Sequence, residues 1–250
     1  MPIARGEILG TAVCASRFEE AIAFLETSVR QRQGLFISAA TTHSVVLARD
    51  DPAFRDAVGR AAYVAADGMP LVWVLRRRGL PAERVHGDDL MLACCERFRE
   101  WRHFLLGGAA GQAEAVTAAL EARFPGIRIA GALSTPRRPL TEADTTAVLE
   151  RLNAVRADLV WVGMGTPQQD LWMSGAAPRA GIPMAGVGSV FNLLAGRTRP
   201  APEWMKRSGL QWLFRLSEEP RRLWRRYLLG GSRFVWLALA EELRRGRRDG

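Results

Sequence analysis

One aspartate stands where it could serve as a general base. Asp67 ends the apolar run AYVAAD and is followed by Gly68, so it would lie where a buried strand leaves a sheet. A carboxylate in that place can accept a proton from a substrate hydroxyl. The alternative role is a cap for the next turn or helix, because aspartate is common at such caps.

Two glycine-containing loops could bind an anionic ligand. In VGMGTPQQD, an apolar run leads into a turn and a helix that begins near Pro167. Backbone N–H groups at a helix start can hold an anion, and Thr166 and Gln169 add side-chain donors. In LLGGAAGQ, Gly107 and Gly108 resemble a loose nucleotide-binding turn. A capped loop or a tight turn is the alternative in each case, and no GKS or GKT sequence points to ATP hydrolysis.

Two further polar groups are candidates for ligand contacts. In ERVHGDDLM, Arg84 with Asp88 or Asp89 could contact a ligand, or could form an ion pair and cap a helix. His43 lies just past another predicted strand. Because His43 has no neighbouring cysteine or second histidine, it makes a poor metal site, and no metal site is predicted.

Positive charge and tryptophan are concentrated at the C-terminal end. The 250-residue chain has a formal net charge of +9, and residues 197–250 hold 14 Arg or Lys against six Asp or Glu, a net +8. Guanidinium groups fork onto phosphate oxygens, and tryptophan beside basic residues suits an anionic membrane surface. The pattern favours phosphate or surface binding over a solvated helix with a tryptophan seam. The residues concerned are Arg215, Arg221, Arg222, Arg225, Arg226 and Arg233, with Trp212, Trp224, Tyr227 and Trp236.

These groups require a scaffold that brings strand ends together. Seven apolar runs alternate with six helical patterns, which predicts right-handed βαβ units and a mainly parallel sheet whose ligands bind beyond the carboxyl ends of the strands. The predicted fold class is α/β, with a Rossmann-like core at residues 1–195 and a helical, membrane-binding appendage at residues 196–250. Helix breaks are expected near Pro220 and Gly230–Gly231. The predicted strands are ILGTAV, LFISAA, AYVAAD, HFLLGG, IRIAGAL, DLVWVGMG and IPMAGVG.

Composition narrows the class of protein. Apolar residues make up 48% of the chain and charged residues 24%, which is ordinary for a folded domain. No apolar run is long enough to span a bilayer, and the N-terminus does not resemble a signal peptide, so we expect a cytoplasmic chain. The odd number of cysteines argues against a disulfide framework and predicts buried free thiols at Cys14, Cys94 and Cys95.

Taken together, these blocks resemble the WecG/TagA/CpsF family of bacterial glycosyltransferases. They occur in the family's order over about residues 35–230, and the ordered set is more specific than any one block. The matching stretches are DDPAFRDAVGRAAYVAADGMPLVWVLRRRG, ERVHGDDLM, FLLGG, ADLVWVGMGTPQQDLW and GVGSVFNLLAGRTRPAPEWMKRSGLQWLFRLSEEPRRLWRRYL.

The resemblance implies an inverting, metal-independent transfer of a sugar from a UDP-sugar to an undecaprenyl-diphosphate-linked saccharide. The sugar would be of the N-acetylmannosamine type, a hexose or a uronic acid, and the product would feed cell-wall, capsule or exopolysaccharide synthesis. The expected partners are the UDP-sugar, the lipid-linked acceptor and an anionic membrane surface at the inner face of the plasma membrane, and not nucleic acid. The resemblance implies no cofactor, and it leaves a homo-oligomer open.

The resemblance also implies roles for single residues of the core. Asp67 would be the general base, and Gln169 and Arg84 would contact the substrate. Thr41 stands where the family often has asparagine, and its hydroxyl lacks the paired donor and acceptor of an amide. This difference bears on the role of that position or on the choice of donor sugar.

The block RLSEEPRRLWRRYL carries the implied roles of the C-terminal end. The resemblance implies that Arg215, Arg222 and Arg225 contact the donor or acceptor diphosphate. Arg222 and Arg225 would offset the charge that grows on the leaving diphosphate, in place of a metal. The remaining arginines and the tryptophans would keep the role at the membrane surface.

Two other functions fit parts of the sequence. A nucleotide-dependent oxidoreductase would share the alternating pattern, but no GxGxxG follows the first strand. A basic, non-enzymatic nucleic-acid-binding module would use the arginine-rich end. That module would leave the polar residues at the strand ends without a purpose.

Overall fold

A computed structural model describes residues 3–136, 138–202, 204–205 and 208–247, apart from the side chain of Arg222. The strands are β1 (Arg5–Ile8), β2 (Thr11–Cys14), β3 (Phe36–Ala40), β4 (Tyr63–Ala66), β5 (His103–Gly107), β6 (Ile129–Leu133), β7 (Leu159–Gly163) and β8 (Met184–Gly186). The helices of the first 195 residues are α1 (Phe18–Arg30), α2 (Thr42–Asp50), α3 (Pro52–Gly59), α4 (Met69–Arg77), α5 (Gly87–Arg97), α6 (Gln112–Arg123), α7 (Glu142–Ala154), α8 (Gln168–Ala180) and α9 (Val190–Leu194). Beyond them lie α10 (Gln211–Glu218), α11 (Pro220–Trp224), a π-helical turn (Arg225–Leu229) and α12 (Gly230–Gly246).

Six of the strands form one parallel sheet. Their order is β4-β3-β8-β7-β5-β6, and every neighbouring pair runs in parallel. All six carboxyl ends therefore lie at one end of the sheet. The predicted α/β class and mainly parallel sheet are confirmed.

Helices cover both faces of this sheet. In β7, Val160 and Val162 pack with side chains of α2, α3, α4, α7 and α8. The alternate residues, Leu159 and Trp161, pack with α1, α5, α6 and α9. A parallel strand that is buried on both faces reads as a continuous apolar run, which explains the sequence LVWV.

The predicted strand ILGTAV is wrong. Residues 5–14 form an antiparallel hairpin in which Ile8 pairs with Thr11. Leu9 and Gly10 make the turn, with φ values of 49° and 84°. Two-residue hairpin turns favour positive φ at both positions, and glycine adopts it without a Cβ clash. The apolar run therefore crosses a turn that Gly10 permits.

Three helices of the first 195 residues, α2, α4 and the short α9, have no counterpart among the six predicted helical patterns. In α2 the N-terminus is capped reciprocally, because Oγ1 of Thr41 accepts from N of Ser44 at 3.2 Å and Oγ of Ser44 accepts from N of Thr41 at 2.7 Å. In α4, Pro70 lies in the first turn, where its fixed φ suits a helix. The apolar runs of α2 and α4, VVL and LVWVL, look like strands, so only the caps mark them as helices.

The predicted break near Pro220 is confirmed, and the break at Gly230–Gly231 is wrong. α10 ends at Glu218, and α11 begins at Pro220, whose missing N–H cannot continue the preceding helix. Gly230 has ordinary helical angles, φ −68° and ψ −39°. The π-helical turn therefore leads straight into α12.

The inner face of α12 packs on the core. Phe234, Leu237 and Ala238 are buried in the same cluster as α2, α3 and α4. Arg78, just after α4, has a side chain only 9% exposed, and its Nη2 lies 2.9 Å from Oε1 of Glu241. The predicted division at residue 196 stays a prediction. Within the described ranges, no helix is both long and apolar enough to cross a bilayer.

The contact of Arg78 with α12 can be tested by substitution. Arg78 donates to Glu241 and to Glu242, so we expect Arg78→Met to lower the free energy of unfolding by about 3 kcal/mol. Arg77→Met is the matched control, because Arg77 is 78% exposed and lies 3.9 Å from Glu242, an arrangement that contributes little. Guanidinium chloride unfolding measures both variants, and equal losses would contradict a docking role for Arg78.

Candidate active site

The carboxyl ends of β3 and β4 place Thr41 beside Asp67. In the register of these strands Ala40 pairs with Ala66, and N of Asp67 donates to the carbonyl of Ala40 at 3.0 Å. A Cβ at Gly68 would lie 3.8 Å from Cα of Thr41. Both candidates thus lie at strand ends, as expected. The Thr41 hydroxyl serves as a helix cap, so its role toward a substrate stays a prediction.

Arg84 links this strand end to the C-terminal helices. Its Nε donates to the backbone carbonyl of Asp67 at 2.9 Å, and its Nη2 donates to Oε1 of Gln211, the first residue of α10. One side chain therefore holds both the segment that carries Asp67 and the start of α10. This arrangement gives Arg84 a positioning role, and direct contact with a substrate stays a prediction.

His86 lies between three carboxylates. Its Nε2 is 3.6 Å from Oδ1 of Asp67, and its Nδ1 is 3.8 Å from Oδ2 of Asp88 and 3.9 Å from Oδ2 of Asp89. Burial raises the pKa of Asp88 above its usual range, while the charges of His86 and Arg215 act in the opposite direction. These groups form one electrostatic cluster around Asp67.

Arg215 reaches the same cluster from α10. Its side chain is 12% exposed, and its guanidinium is 3.8 Å from Glu219. Its charge is close enough to act on the pKa of Asp88. Within the described part of the chain, the buried Nε of Arg215 has no hydrogen-bond partner. A buried donor without a partner is costly, so this atom suits an anionic ligand.

Two buried side chains of α8 form hydrogen bonds with the loop after β7. N of Gly165 donates to Oε1 of Gln169 at 3.0 Å, and Gln169 is only 2% exposed. Oγ1 of Thr166 donates to Oδ2 of Asp170 at 3.2 Å, and Oγ of Ser38 donates to Oδ1 at 2.6 Å. Gln169 therefore shapes the loop, and the predicted substrate contacts of Gln169 and Thr166 stay predictions.

Gly107 and Gly108 bring the end of β5 close to β7. Their φ values are 123° and 79°, and a Cβ at Gly107 would lie 2.7 Å from the carbonyl carbon of Gly163. Only glycine fits this approach. An open cavity of about 320 Å³ lies beside the turn. It is lined by Ala109, Ala110, Ser134, Thr135 and Pro136.

Two adjacent arginines of the π-helical turn have different surroundings. Arg225 is exposed, and its guanidinium lies 5.3 Å from the ring centroid of Trp224. Arg226 is partly buried. Burial lowers the pKa of His43 below its usual range, and the nearby charge of Arg226 lowers it further. Arg226 therefore lies near enough to His43 for its charge to act there, whereas Arg225 lies over the ring of Trp224.

The three arginines that are implied to contact a diphosphate have different outcomes in the structure. Arg215 lies in the Asp67 cluster. The side chain of Arg222 is outside the described part of the chain, and the role of Arg225 stays a prediction. The sequence-based prediction gave Arg226 a role at the membrane surface. Positions 222 and 226 are four residues apart, however, and this spacing favours a shared helix face.

The candidates spread along the carboxyl end of the sheet. Asp67 follows β4 and Gly107 ends β5, which are four strand intervals apart in the sheet order, or roughly 19 Å. Thr166 follows β7, between them. The structure therefore brings together the groups around Asp67, and it separates them from the glycine turn.

Sequence reasoning missed His86 as a site residue. It lies between Arg84 and Asp88 in the ERVHGDDLM block, and that position beside two nominated groups was the available signal. It also missed Gln211, the partner of Arg84, because no sequence pattern pairs residues so far apart.

A comparison with protein families gives the chain its chemical class. Residues 6–248 of the chain match the family described as the glycosyl transferase WecG/TagA/CpsF family. The chain belongs to this family. The resemblance inferred from the sequence is thus confirmed, and the chain is a glycosyltransferase. The oxidoreductase and nucleic-acid-binding interpretations are not supported.

Individual relatives carry names that state an enzymatic activity. Proteins of Staphylococcus aureus strains MW2 and NCTC 8325 / PS 47 are each 29% identical to this chain over 195 residues. The matched region covers 76% of this chain and 75% of each relative. Both relatives are named N-acetylglucosaminyldiphosphoundecaprenol N-acetyl-beta-D-mannosaminyltransferase.

The buried carboxyl of Asp170, which accepts a hydrogen bond from the loop after β7, makes the stability of the fold depend on pH. Burial raises the pKa of Asp170 from 3.8 to about 6, so the folded state binds a proton that the unfolded state has lost between these values. Stability must then fall as pH rises through this window. We expect the unfolding free energy of the wild type to fall by up to roughly 3 kcal/mol more than that of Asp170→Asn between pH 4 and pH 7.

Urea unfolding at a series of pH values measures this difference in slope. Asp56→Asn is the control, because Asp56 is exposed, and it should keep the wild-type pH dependence. If Asp170→Asn showed the wild-type slope as well, the carboxyl under the loop would not be its source.

Proposed function

We propose that this chain transfers a sugar from a UDP-sugar to an undecaprenyl-diphosphate-linked saccharide at the inner face of the plasma membrane. The observation that carries the proposal is the cluster of Asp67 with buried or partly buried arginines at the carboxyl ends of β3 and β4. Membership of a glycosyltransferase family and the names of the relatives support the substrate class. The product would enter cell-surface polysaccharide synthesis.

The proposed reaction is a single in-line displacement. The Asp67 carboxylate accepts the proton of the acceptor hydroxyl. The hydroxyl oxygen forms a bond to the anomeric carbon of the sugar, and the bond from that carbon to the UDP oxygen breaks. Because the new bond forms on the face opposite the leaving group, the configuration is inverted. Arg84 supports this step by holding the backbone of Asp67 at 2.9 Å.

Arginine supplies the charge that the leaving diphosphate requires. Arg215 has a buried Nε without a hydrogen-bond partner in the described residues, and the charge of Arg226 acts on His43 beside the end of β3. Fixed cations at a site with little water stabilise growing negative charge strongly. We therefore add Arg226 to the implied set of Arg215, Arg222 and Arg225. These groups favour a reaction that does not require a divalent metal.

The donor is proposed to lie along the carboxyl end of the sheet. Its sugar would meet Asp67, and its diphosphate would face the C-terminal arginines. The nucleoside would extend toward the loops at Thr166 and Gly107. Backbone N–H groups in these loops precede helices, and such groups suit phosphate and ribose oxygens.

The outer face of the C-terminal helices is proposed to bind the membrane. Large apolar side chains are exposed there, and basic residues flank them, including the exposed Arg244 and Arg245. An exposed apolar surface of this kind marks an interaction site, and its basic flanks suit anionic lipid. We name these residues the apolar belt: Trp212, Leu213, Trp224, Leu228, Leu229, Val235, Trp236, Leu239 and Leu243.

The base assignment is tested with Asp67→Asn. We expect UDP release in the presence of a short-chain prenyl-diphosphate acceptor to fall at least about 100-fold, because an amide cannot take the proton. Binding of UDP, measured by calorimetry, should survive, since the arginines are untouched. Asp56→Asn is again the exposed control and should keep the wild-type rate. Full activity in Asp67→Asn would remove the assignment.

The membrane assignment is tested with Trp236→Ser combined with Leu239→Ser. These side chains are 69% and 60% exposed, so the fold should survive while binding to phosphatidylglycerol vesicles weakens at least about tenfold. Leu171→Ser is the matched control, because Leu171 is also exposed, at 40%, but lies on α8. Vesicle flotation measures all three proteins. Equal flotation of the wild type and the double variant would contradict the role of the apolar belt.

A further inference from the structure

We propose that His86 is a positioning residue that receives, from Asp67, the proton taken from the acceptor hydroxyl. The proposal rests on the proposed function of Asp67 as the base. It assigns to His86 a second proton transfer, which returns Asp67 to its carboxylate form while the products are still bound.

The geometry supports such a transfer. Nε2 of His86 faces Oδ1 of Asp67 at 3.6 Å, while Nδ1 faces Asp88 and Asp89 on the other side of the ring. Hydrogen bonds between catalytic groups are often long in the free enzyme and shorten when substrate binds. A carboxylate on each side orients the ring, in the manner of an imidazole between a reacting group and an aspartate.

The position of His86 is not explained by helix capping. His86 is the N-cap residue of α5, but its side chain makes no capping hydrogen bond. Serine, threonine, aspartate and asparagine are the residues that stabilise this position. The imidazole instead turns toward Asp67, with a side chain that is 13% exposed.

The charges around His86 favour a cation formed during the reaction. The carboxylates come from the end of β4 (Asp67) and from α5 (Asp88 and Asp89). The guanidinium groups come from the loop before α5 (Arg84) and from α10 (Arg215). Burial raises the pKa of Asp88, and positive charge on His86 and Arg215 acts against this rise, because it favours the carboxylate form of Asp88.

The proton moves in two successive transfers. The acceptor O–H bond breaks as the new O–C bond forms, and the proton passes to Asp67 as UDP leaves with its bonding electrons. The proton then moves from the Asp67 carboxyl to Nε2 of His86, which gives an imidazolium and restores the carboxylate. The imidazolium later loses its proton to water on the side of Asp89, whose side chain is 51% exposed.

Steady-state kinetics with His86→Gln test the relay. Glutamine keeps a polar side chain but cannot carry the proton, so we expect kcat to fall at least about tenfold. The relay needs a neutral imidazole, so wild-type kcat should decline as pH falls through the imidazole titration. In His86→Gln a carboxylate alone should set this decline, and a carboxylate titrates at lower pH than an imidazole. The acid limb of the profile should therefore move to lower pH.

The direction of that movement separates a relay from a purely structural role. A limb that moves to higher pH would mean that charged His86 only keeps Asp67 ionised, and it would overturn the relay. An unchanged limb would overturn it as well. UDP binding and the thermal midpoint are measured in parallel, and both should match the wild type. His86→Ala should repeat the kinetic change, which guards against an effect specific to glutamine.

An NMR titration tests the link without turnover. The chain has three histidines, so the imidazole resonances of His43, His86 and His103 can be assigned by substitution. We expect Asp67→Asn to move the titration midpoint of His86 to lower pH and to leave that of the buried His103 unchanged. An unmoved His86 midpoint would overturn the proposal. A wild-type protein that transfers no sugar would instead overturn the proposed function, whereas a transferring wild type with no effect of His86→Gln would overturn the relay alone.

Discussion

The contact on which the site depends is the fork of the Arg84 guanidinium. One planar group binds the backbone carbonyl of Asp67 and the side-chain carbonyl of Gln211. These two partners come from a strand end and from a helix far along the chain, so neither could be placed by local structure. A guanidinium presents several donors in a fixed geometry, whereas a lysine ammonium would act as a point charge. Because Arg84 binds the backbone of Asp67, the carboxylate stays directed toward His86.

The charge balance of the cluster also requires the C-terminal helices. Asp67, Asp88 and Asp89 lie around one imidazole. Burial raises the pKa of Asp88, and the charges of Asp67 and Asp89 raise it further. Arg215 on α10 acts against this effect at Asp88. The core alone would therefore hold an excess of negative charge around His86, where a diphosphate leaves under the proposed function. The helices that follow residue 210 supply the opposite charge, which links the folding of this end to the chemistry of the site.

Sequence patterns predicted the parts of the molecule that obey local rules. Alternation of strands and helices predicted the parallel sheet, and the position of Asp67 after an apolar run predicted its place at a strand end. The hairpin at Gly10 and the helix through Gly230 were misread, because glycine permits a turn without requiring one. The burial of Gln169 and the partial burial of Arg226 depend on tertiary packing. The charged surroundings of His86 likewise form only when folding brings other residues around it. No periodicity in the sequence carries that information.

The last helix joins the site to the surface that is proposed to meet the membrane. Phe234, Leu237 and Ala238 bury one face of α12 in the core, while Trp236 and Leu239 expose the other. The apolar belt starts at Trp212, and Leu228 and Leu229 follow Arg226 within the same π-helical turn. A prenyl diphosphate carries its charge at the headgroup boundary, where basic residues and tryptophan are favoured. Under the proposed function, an arginine within one turn of the belt would meet the acceptor diphosphate at that depth. The prenyl chain would then remain in the bilayer throughout the reaction.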